Sequence, residues 1–247
     1  MTPHQHDVMR SVEDRYWWYQ ALRQHAAASI QPASPHFSLL DAGCGTGGML
    51  DVVREKFPAV DLTGIDASSH AIKLAAARNL NAKLRLANVH DLPFAEDTFD
   101  FVLSLDVLSH TGVDDSLATH EMHRVLRPGG RLLLNLAAFD FLKGAHDCAV
   151  DVDRRYTRPQ VRALLAGANF HVERLTYWNA TFSLPIALLR WLSRRRPQGE
   201  GPRADFKSLP APLNALLKSV AGLELSASRH VSLPFGTSLF AIARKNG

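Results

Sequence analysis

The sequence predicts an α/β protein whose doubly wound, mostly parallel sheet is covered by helices on both faces. Two observations carry that expectation. Across residues 37–175, short apolar or β-branched runs alternate with stretches of helical period. Such alternation builds parallel sheets, because each parallel return needs a crossover. The first run, "FSLLDAG", ends in a glycine-rich turn that opens directly into a helical pattern.

In chain order, residues 1–36 read as an N-terminal helix with a dense aromatic cluster, Tyr16, Trp17, Trp18 and Tyr19. After the strand "FSLLDAG", the stretch "GGMLDVVREKF" sets Met49, Leu50, Val53 and Phe57 near one helical face. "DLTGID" is a strand followed by the helical "SSHAIKLAAARNL". "AKLRLANV" and "FDFVLSL" are further strands, and "DDSLATHEMHRVL" is a helix. "RPGG" then turns the chain into the strand "RLLLNL". Thr157 and Gln160 form a capping box opening "RPQVRALLAGAN", ahead of the strand "FHVERLTYW". Residues 180–230 hold two apolar helical stretches around the polar link "RRRPQGEGPRADFKSLPAP", which reads as an exposed loop. "SLFAIARK" is a final strand.

The chain of 247 residues, 46% hydrophobic and 21% charged, has the composition of a soluble globular protein with one sizeable core. Its two cysteines, Cys44 and Cys148, show no metal-ligand spacing, which favours a reducing compartment. With no signal-peptide pattern and no apolar run of membrane-spanning length, a cytoplasmic location is expected. The net charge of +4 is uneven: residues 176–247 carry ten Lys/Arg against three Asp/Glu, hence +7, leaving −3 for the rest. A solvated basic surface explains this most simply, and an anionic partner is the alternative.

Gly43, Gly45 and Gly48 spell G-x-G-x-x-G, a turn that lets backbone approach a ligand beyond the carboxyl ends of parallel strands. Asp66, closing the second strand, could accept from both hydroxyls of a ribose. To this point a nicotinamide dinucleotide and S-adenosylmethionine (SAM) remain level, since the glycine pattern alone is weak. Asp41, two residues before Gly43, would repel a pyrophosphate but suits the ammonium of a methionine moiety.

With "LLDAGCGTGG", the stretch "ANVHDLPFAEDTFDFVLSLDVLSH" and the turn "RVLRPGG", the chain resembles the class I SAM-dependent methyltransferases. The resemblance is to the small-molecule branch that includes quinone-biosynthesis enzymes, and it covers roughly residues 37–175 and the last strand. It implies a Rossmann-like seven-stranded sheet, mostly parallel with an antiparallel last strand, in a single domain. Residues 1–36 would form a cap helix, 37–179 the SAM-binding core, 180–230 a helical lid shaping the acceptor site, and 231–247 the final strand. Asp41, Gly43 and Gly45 would line the methionine and ribose, and Asp66 would take the ribose hydroxyls with Ala67 beside the adenine. Asn88, where relatives usually have Asp, and the N–H of Val89 would meet the adenine. The Leu105 carbonyl would meet the ammonium, and Tyr19 or Arg23, four apart on one helical face, would reach the carboxylate.

The resemblance further implies methyl transfer to an O, N or C atom of a small-molecule acceptor, leaving S-adenosyl-L-homocysteine. No N/D-P-P-Y/F motif follows the fourth strand, so methylation of nucleic-acid amines is not expected. His110 is the first candidate base, with Ser109 in place of the relatives' glutamate, and packing beneath the cofactor is its plainer role. His146, beside Asp147 and ahead of "DRRYT" (Arg154, Arg155, Tyr156), is the second candidate, with a structural role the alternative. His120 and His123 are spaced H-x-x-H but lack a third ligand, so they read as surface residues and no metal is expected. Leu184, Leu188 and Leu192 share a face that ends in a basic cluster. That face suits an acceptor wall, with a homodimer contact or weak membrane-surface binding through 184–196 as alternatives. The rival functions are a SAM-binding catalyst that does not methylate, such as a cyclase, a noncatalytic SAM-binding regulatory partner and, more remotely, a nicotinamide oxidoreductase.

Overall fold

The computed structural model describes residues 1–144, 147, 150–183, 210–228 and 231–246. Its strands are β1 (Ser38–Ala42), β2 (Asp61–Asp66), β3 (Lys83–Leu86), β4 (Phe99–Leu105), β5 (Leu126–Ala137), β6 (Phe170–Trp178) and β7 (Ser238–Lys245). The helices are α1 (Pro3–Val12), α2 (Trp17–Ser29), α3 (Gly48–Lys56), α4 (Ser69–Ala76), α5 (Asp115–Val125), α6 (Arg158–Gly167) and α7 (Ala211–Ala227). One seven-stranded sheet runs β3-β2-β1-β4-β5-β7-β6. Strands β1 to β5 pair in parallel, and β7 inserts antiparallel between β5 and β6. The expected Rossmann-like sheet, with its antiparallel last strand, is therefore the observed one.

Alternation along the strands explains why the sheet is covered twice. Leu39, Phe101, Leu103 and Leu133 point into a core shared with α2, α3 and α7. Their neighbours Leu40, Val102, Leu132 and Leu134 point into the opposite core with α5 and α6. All five residues of β1 are buried, and burying each such leucine stabilises the fold by about 1.5–3 kcal/mol. The helices start where capping chemistry allows. The Ser68 and Asp114 side chains accept from the Ala71 and Leu117 N–H groups, and the Thr157–Gln160 capping box opens α6 as expected.

Two expectations are corrected. The N-terminal segment is two helices, because the Glu13 carboxylate turns inward to Arg23 and Arg78, with Asp14 pairing to both from the surface, and this breaks the chain before Tyr16. The "RPGG" turn lies inside β5 as a bulge, since Leu126 pairs with Phe99 and Arg131 with Phe101, with Gly129 at φ +79° between them. The second apolar stretch of 180–230 is α7. It packs against α2, with Asn214 accepting from the Trp17 N–H (2.9 Å) and donating to the Arg15 carbonyl (2.7 Å). Leu184, Leu188, Leu192 and the whole 184–196 stretch lie outside the described residues. Among the described residues no helix is long and apolar enough to cross a membrane.

Candidate functional site

Strand order reverses between β1 and β4, and a cleft of about 940 Å³ opens beyond their carboxyl ends. Helix α1 forms one wall through His6 and Met9. The glycine turn is folded back on β2: the N–H groups of Gly43 and Cys44 donate to the Ile65 carbonyl at 2.9 and 2.8 Å. Asp66 accepts from the Gly45 N–H (2.9 Å) and the Ser68 N–H (2.8 Å), one on each oxygen. Each oxygen retains a lone pair for a diol facing it from the cleft. Gly43 has φ +98°, and a Cβ there would sit 2.2 Å from Val107 Cγ2. At Gly48 a Cβ would fall 2.0 Å from the Arg23 guanidinium. At Gly43 the positive φ and the close approach together require glycine, whereas at Gly48 a Cβ would displace the end of the Arg23 side chain.

A side chamber of about 90 Å³ continues from the cleft, lined by Asp41, Arg23, Glu13, Tyr19 and Asp106 among others. Asp41 is 2% exposed and its Oδ2 has no hydrogen-bond partner. Burial pushes its carboxyl up to about 7, the Asp66 charge adding to the rise and Arg23 opposing it. Arg23 pairs with Glu13 and, at 3.3 Å, with Asp14, and its guanidinium lies 5.6 Å from the centre of the Tyr19 ring. An unpartnered buried carboxylate facing a buried guanidinium suits a group that carries an ammonium and a carboxylate together.

Asp41 also makes a pH prediction. Its acid is raised in the folded state, so its contribution is fully present below the unfolded value near 3.8 and is lost as pH rises through about 7. Asp41→Asn is expected to melt higher than the wild type at pH 8, by on the order of 2–4 kcal/mol, with the gap closing at pH 4. Thermal unfolding at both pH values checks this, and a gap that does not shrink at pH 4 counts against it.

Ala67, Asn88 and Val89 line the cleft, and Leu105 lines both cavities. The Asn88 Oδ1 already accepts from the His90 N–H at 3.1 Å, which leaves it one lone pair. His110 also lines the cleft, with its Nδ1 3.2 Å from the Asp151 carbonyl. A carbonyl only accepts, so Nδ1 is assigned the proton and Nε2 the free lone pair. Burial holds the His110 pKa below its ordinary value, which keeps the ring neutral at pH 7.

His146 lies outside the described residues, and its neighbour Asp147 is bound to Arg155 through Nη2 (2.5 Å) and Nε (3.1 Å). In "DRRYT" only Arg155 lines the cleft. Arg154 pairs with Asp115 at 2.8 Å, and the Tyr156 hydroxyl donates to Asp115 (2.8 Å) with the Leu108 carbonyl 3.0 Å away. Ser109 is also structural, its Oγ accepting from the Ala137 N–H. His123 corrects the surface reading, for it is half-buried with its ring edge-on to Phe170 at 4.9 Å. Among the described residues no group of three His, Cys, Asp or Glu could hold a metal. None of the described residues of 180–230 lines the cleft, so the expected lid role finds no support in α7.

Asp106 was not singled out by sequence reasoning. It follows β4 with φ +64°, lines both cavities, and accepts from Asn135 Nδ2 at 2.8 Å. An acid directly after a buried strand, at the level of the glycine turn, was the available signal.

Residues 40–134 match the family model described as "Methyltransferase domain". A malonyl-[acyl-carrier protein] O-methyltransferase of Herminiimonas arsenicoxydans is 34% identical over 51% of this chain and 47% of its own length. A ubiquinone/menaquinone biosynthesis C-methyltransferase of Geotalea daltonii is 33% identical over 49% of this chain and 52% of its own. The chain spans about half the length of such curated relatives, or less. The crystal structure of the [4+2]-cyclase SpnF superposes with a TM-score of 0.62 at 22% identity, covering 93% of this chain and 82% of that one. That likeness shows the fold alone.

Proposed function

We propose that this chain is a class I SAM-dependent methyltransferase whose cleft binds SAM and directs methyl transfer to an oxygen, nitrogen or carbon of a small-molecule acceptor, a reading supported by the methyltransferase-domain match over residues 40–134 and by the methyltransferase relatives. The observation that carries this reading is the unpartnered Asp41 carboxylate, buried opposite Arg23 in a chamber that opens into a cleft floored by Asp66. SAM supplies an activated methyl on a sulfonium. The chain's own residues then have modest work to do. Asp41 and the Leu105 carbonyl would hold the ammonium, and Arg23 and Tyr19 the carboxylate end. Asp66 would hold the ribose, and Ala67, Asn88 and Val89 the adenine. The cleft orients the acceptor and limits water, which supplies much of the acceleration in a displacement of this kind. His110 offers a neutral Nε2 to the acceptor's proton.

The test is incubation with SAM and a panel of hydroxylated, amine and enol-bearing small molecules, with mass analysis of both products. S-adenosylhomocysteine formed together with a methylated acceptor supports the reading. An acceptor transformed while SAM stays intact supports instead the non-methylating catalyst that this fold also houses. For the acceptor that turns over, His110→Gln is expected to lower the rate by about 10²–10⁴-fold while S-adenosylhomocysteine binding stays within about twofold. Unchanged turnover would remove His110 from the chemistry.

A further inference from the structure

We propose that Asp106 is the residue by which this protein distinguishes the charged cofactor from its neutral product, its carboxylate facing the sulfonium. The proposal rests on the SAM reading above and follows from connectivity. In SAM one sulfur joins the methionine chain to the ribose. If the amino-acid end enters the chamber of Asp41 and Arg23 while the ribose lies on Asp66, the sulfur must lie where the chamber meets the cleft. Of the described residues that line both cavities, only Asp106 and Tyr19 are ionisable. The Tyr19 phenol is pushed up by burial and by the charges of Asp106 and Glu13, and so stays neutral. Asp106 is the carboxylate left at the junction.

The surroundings fix its orientation. Trp178 Nε1 donates to Asn135 Oδ1 at 2.7 Å, which turns the Asn135 amide nitrogen toward Asp106 Oδ1 at 2.8 Å. The left-handed backbone at φ +64° is one that Asp and Asn tolerate. The groups facing Asp106 are Asn135 from β5, Arg155 from the segment before α6, and Tyr19 from α2. Asp41, Glu13 and Arg23 lie across the chamber. Burial raises the Asp106 carboxyl to about 7, against the hydrogen bond from Asn135 and the charge of Arg155. Near neutral pH a sulfonium beside it shifts it to the ionised form, and a thioether does not.

Calorimetric titration with SAM and with S-adenosylhomocysteine, at pH 6 and pH 8 and in two buffers of different ionisation enthalpy, tests this without an acceptor. Both ligands carry the ammonium that faces Asp41, so differences between them isolate the sulfonium. Wild type is expected to bind SAM more tightly than its product by about tenfold or more at pH 8, less so at pH 6, and to release more protons with SAM near pH 7. Asp106→Asn, which keeps the backbone conformation and an acceptor for Asn135, is expected to bind both ligands with the preference and the extra proton release gone. A variant that keeps the wild-type ratio at both pH values overturns the proposal, as does a wild type that binds both equally at both. If neither ligand binds wild type, the cofactor reading itself fails and takes this proposal with it.

Discussion

Replacing Glu13 with alanine is expected to destabilise the protein by about 3–5 kcal/mol, the usual result of stripping one partner from a buried ion pair. Glu13 is 2% exposed and its carboxylate meets three groups: Arg23, the Thr46 hydroxyl and Arg78. The Arg23 and Arg78 side chains are only 10% and 4% exposed, so removing Glu13 leaves charge in a site that water reaches poorly. Arg78 would keep Asp14 and Asp51, but those carboxylates are 44% and 53% exposed, and pairs of that kind contribute little. Glu13 joins the turn between α1 and α2 to the glycine turn, so its loss also frees the wall that α1 forms. A melting temperature lower by roughly 10 °C is expected, together with weaker S-adenosylhomocysteine binding. A shift under about 2 °C would show that the network contributes little.

Gly43→Ala carries the second large effect. At φ +98° an alanine is strained by about 1–3 kcal/mol, and its Cβ would lie 2.2 Å from Val107 Cγ2 in the loop after β4. Either Val107 moves away from the cleft or the glycine turn leaves Ile65, and both rearrange the floor under the ligand. S-adenosylhomocysteine binding is expected to be undetectable, with stability reduced by several kcal/mol. Adding Val107→Ala should recover the part due to overlap and leave the part due to φ. Denaturant melts of the two singles and the double separate these parts. A double variant no more stable than Gly43→Ala would assign the whole cost to the backbone.

The central sheet was legible because its signals are local. Leu39, Leu40 and Leu132 to Leu134 read as strands buried on both faces, and Ser68, Asp114 and the Thr157–Gln160 pair mark helix starts within four residues of themselves. The break between α1 and α2 was not legible. "SVEDRYWWYQ" holds neither Gly nor Pro, and the break is imposed by Arg78, some 65 residues further along the chain. The same limit applies within the site. Asp41, Asp66 and the glycines are recognisable by spacing, and the structure brings them to one cleft and its side chamber with Asn88, Leu105 and His110. Asp106 looks like any loop acid until Asn135, Trp178 and Tyr19 fold around it. Arg23 lines the chamber, and its pairing with Glu13 depends on an inward turn that periodicity does not encode. The seat of α7 on α2 depends on Asn214, an unremarkable polar residue in a helix of weak pattern.

The most direct measurement is calorimetric titration of S-adenosylhomocysteine into wild type and Asp66→Ala side by side, with melting curves confirming that both are folded. Binding to wild type in about the micromolar range, lost in Asp66→Ala, is the result expected if the ribose rests on Asp66 and the amino-acid end on Asp41. A folded wild type that takes up no ligand, or an Asp66→Ala variant that binds as tightly as wild type, would contradict that assignment.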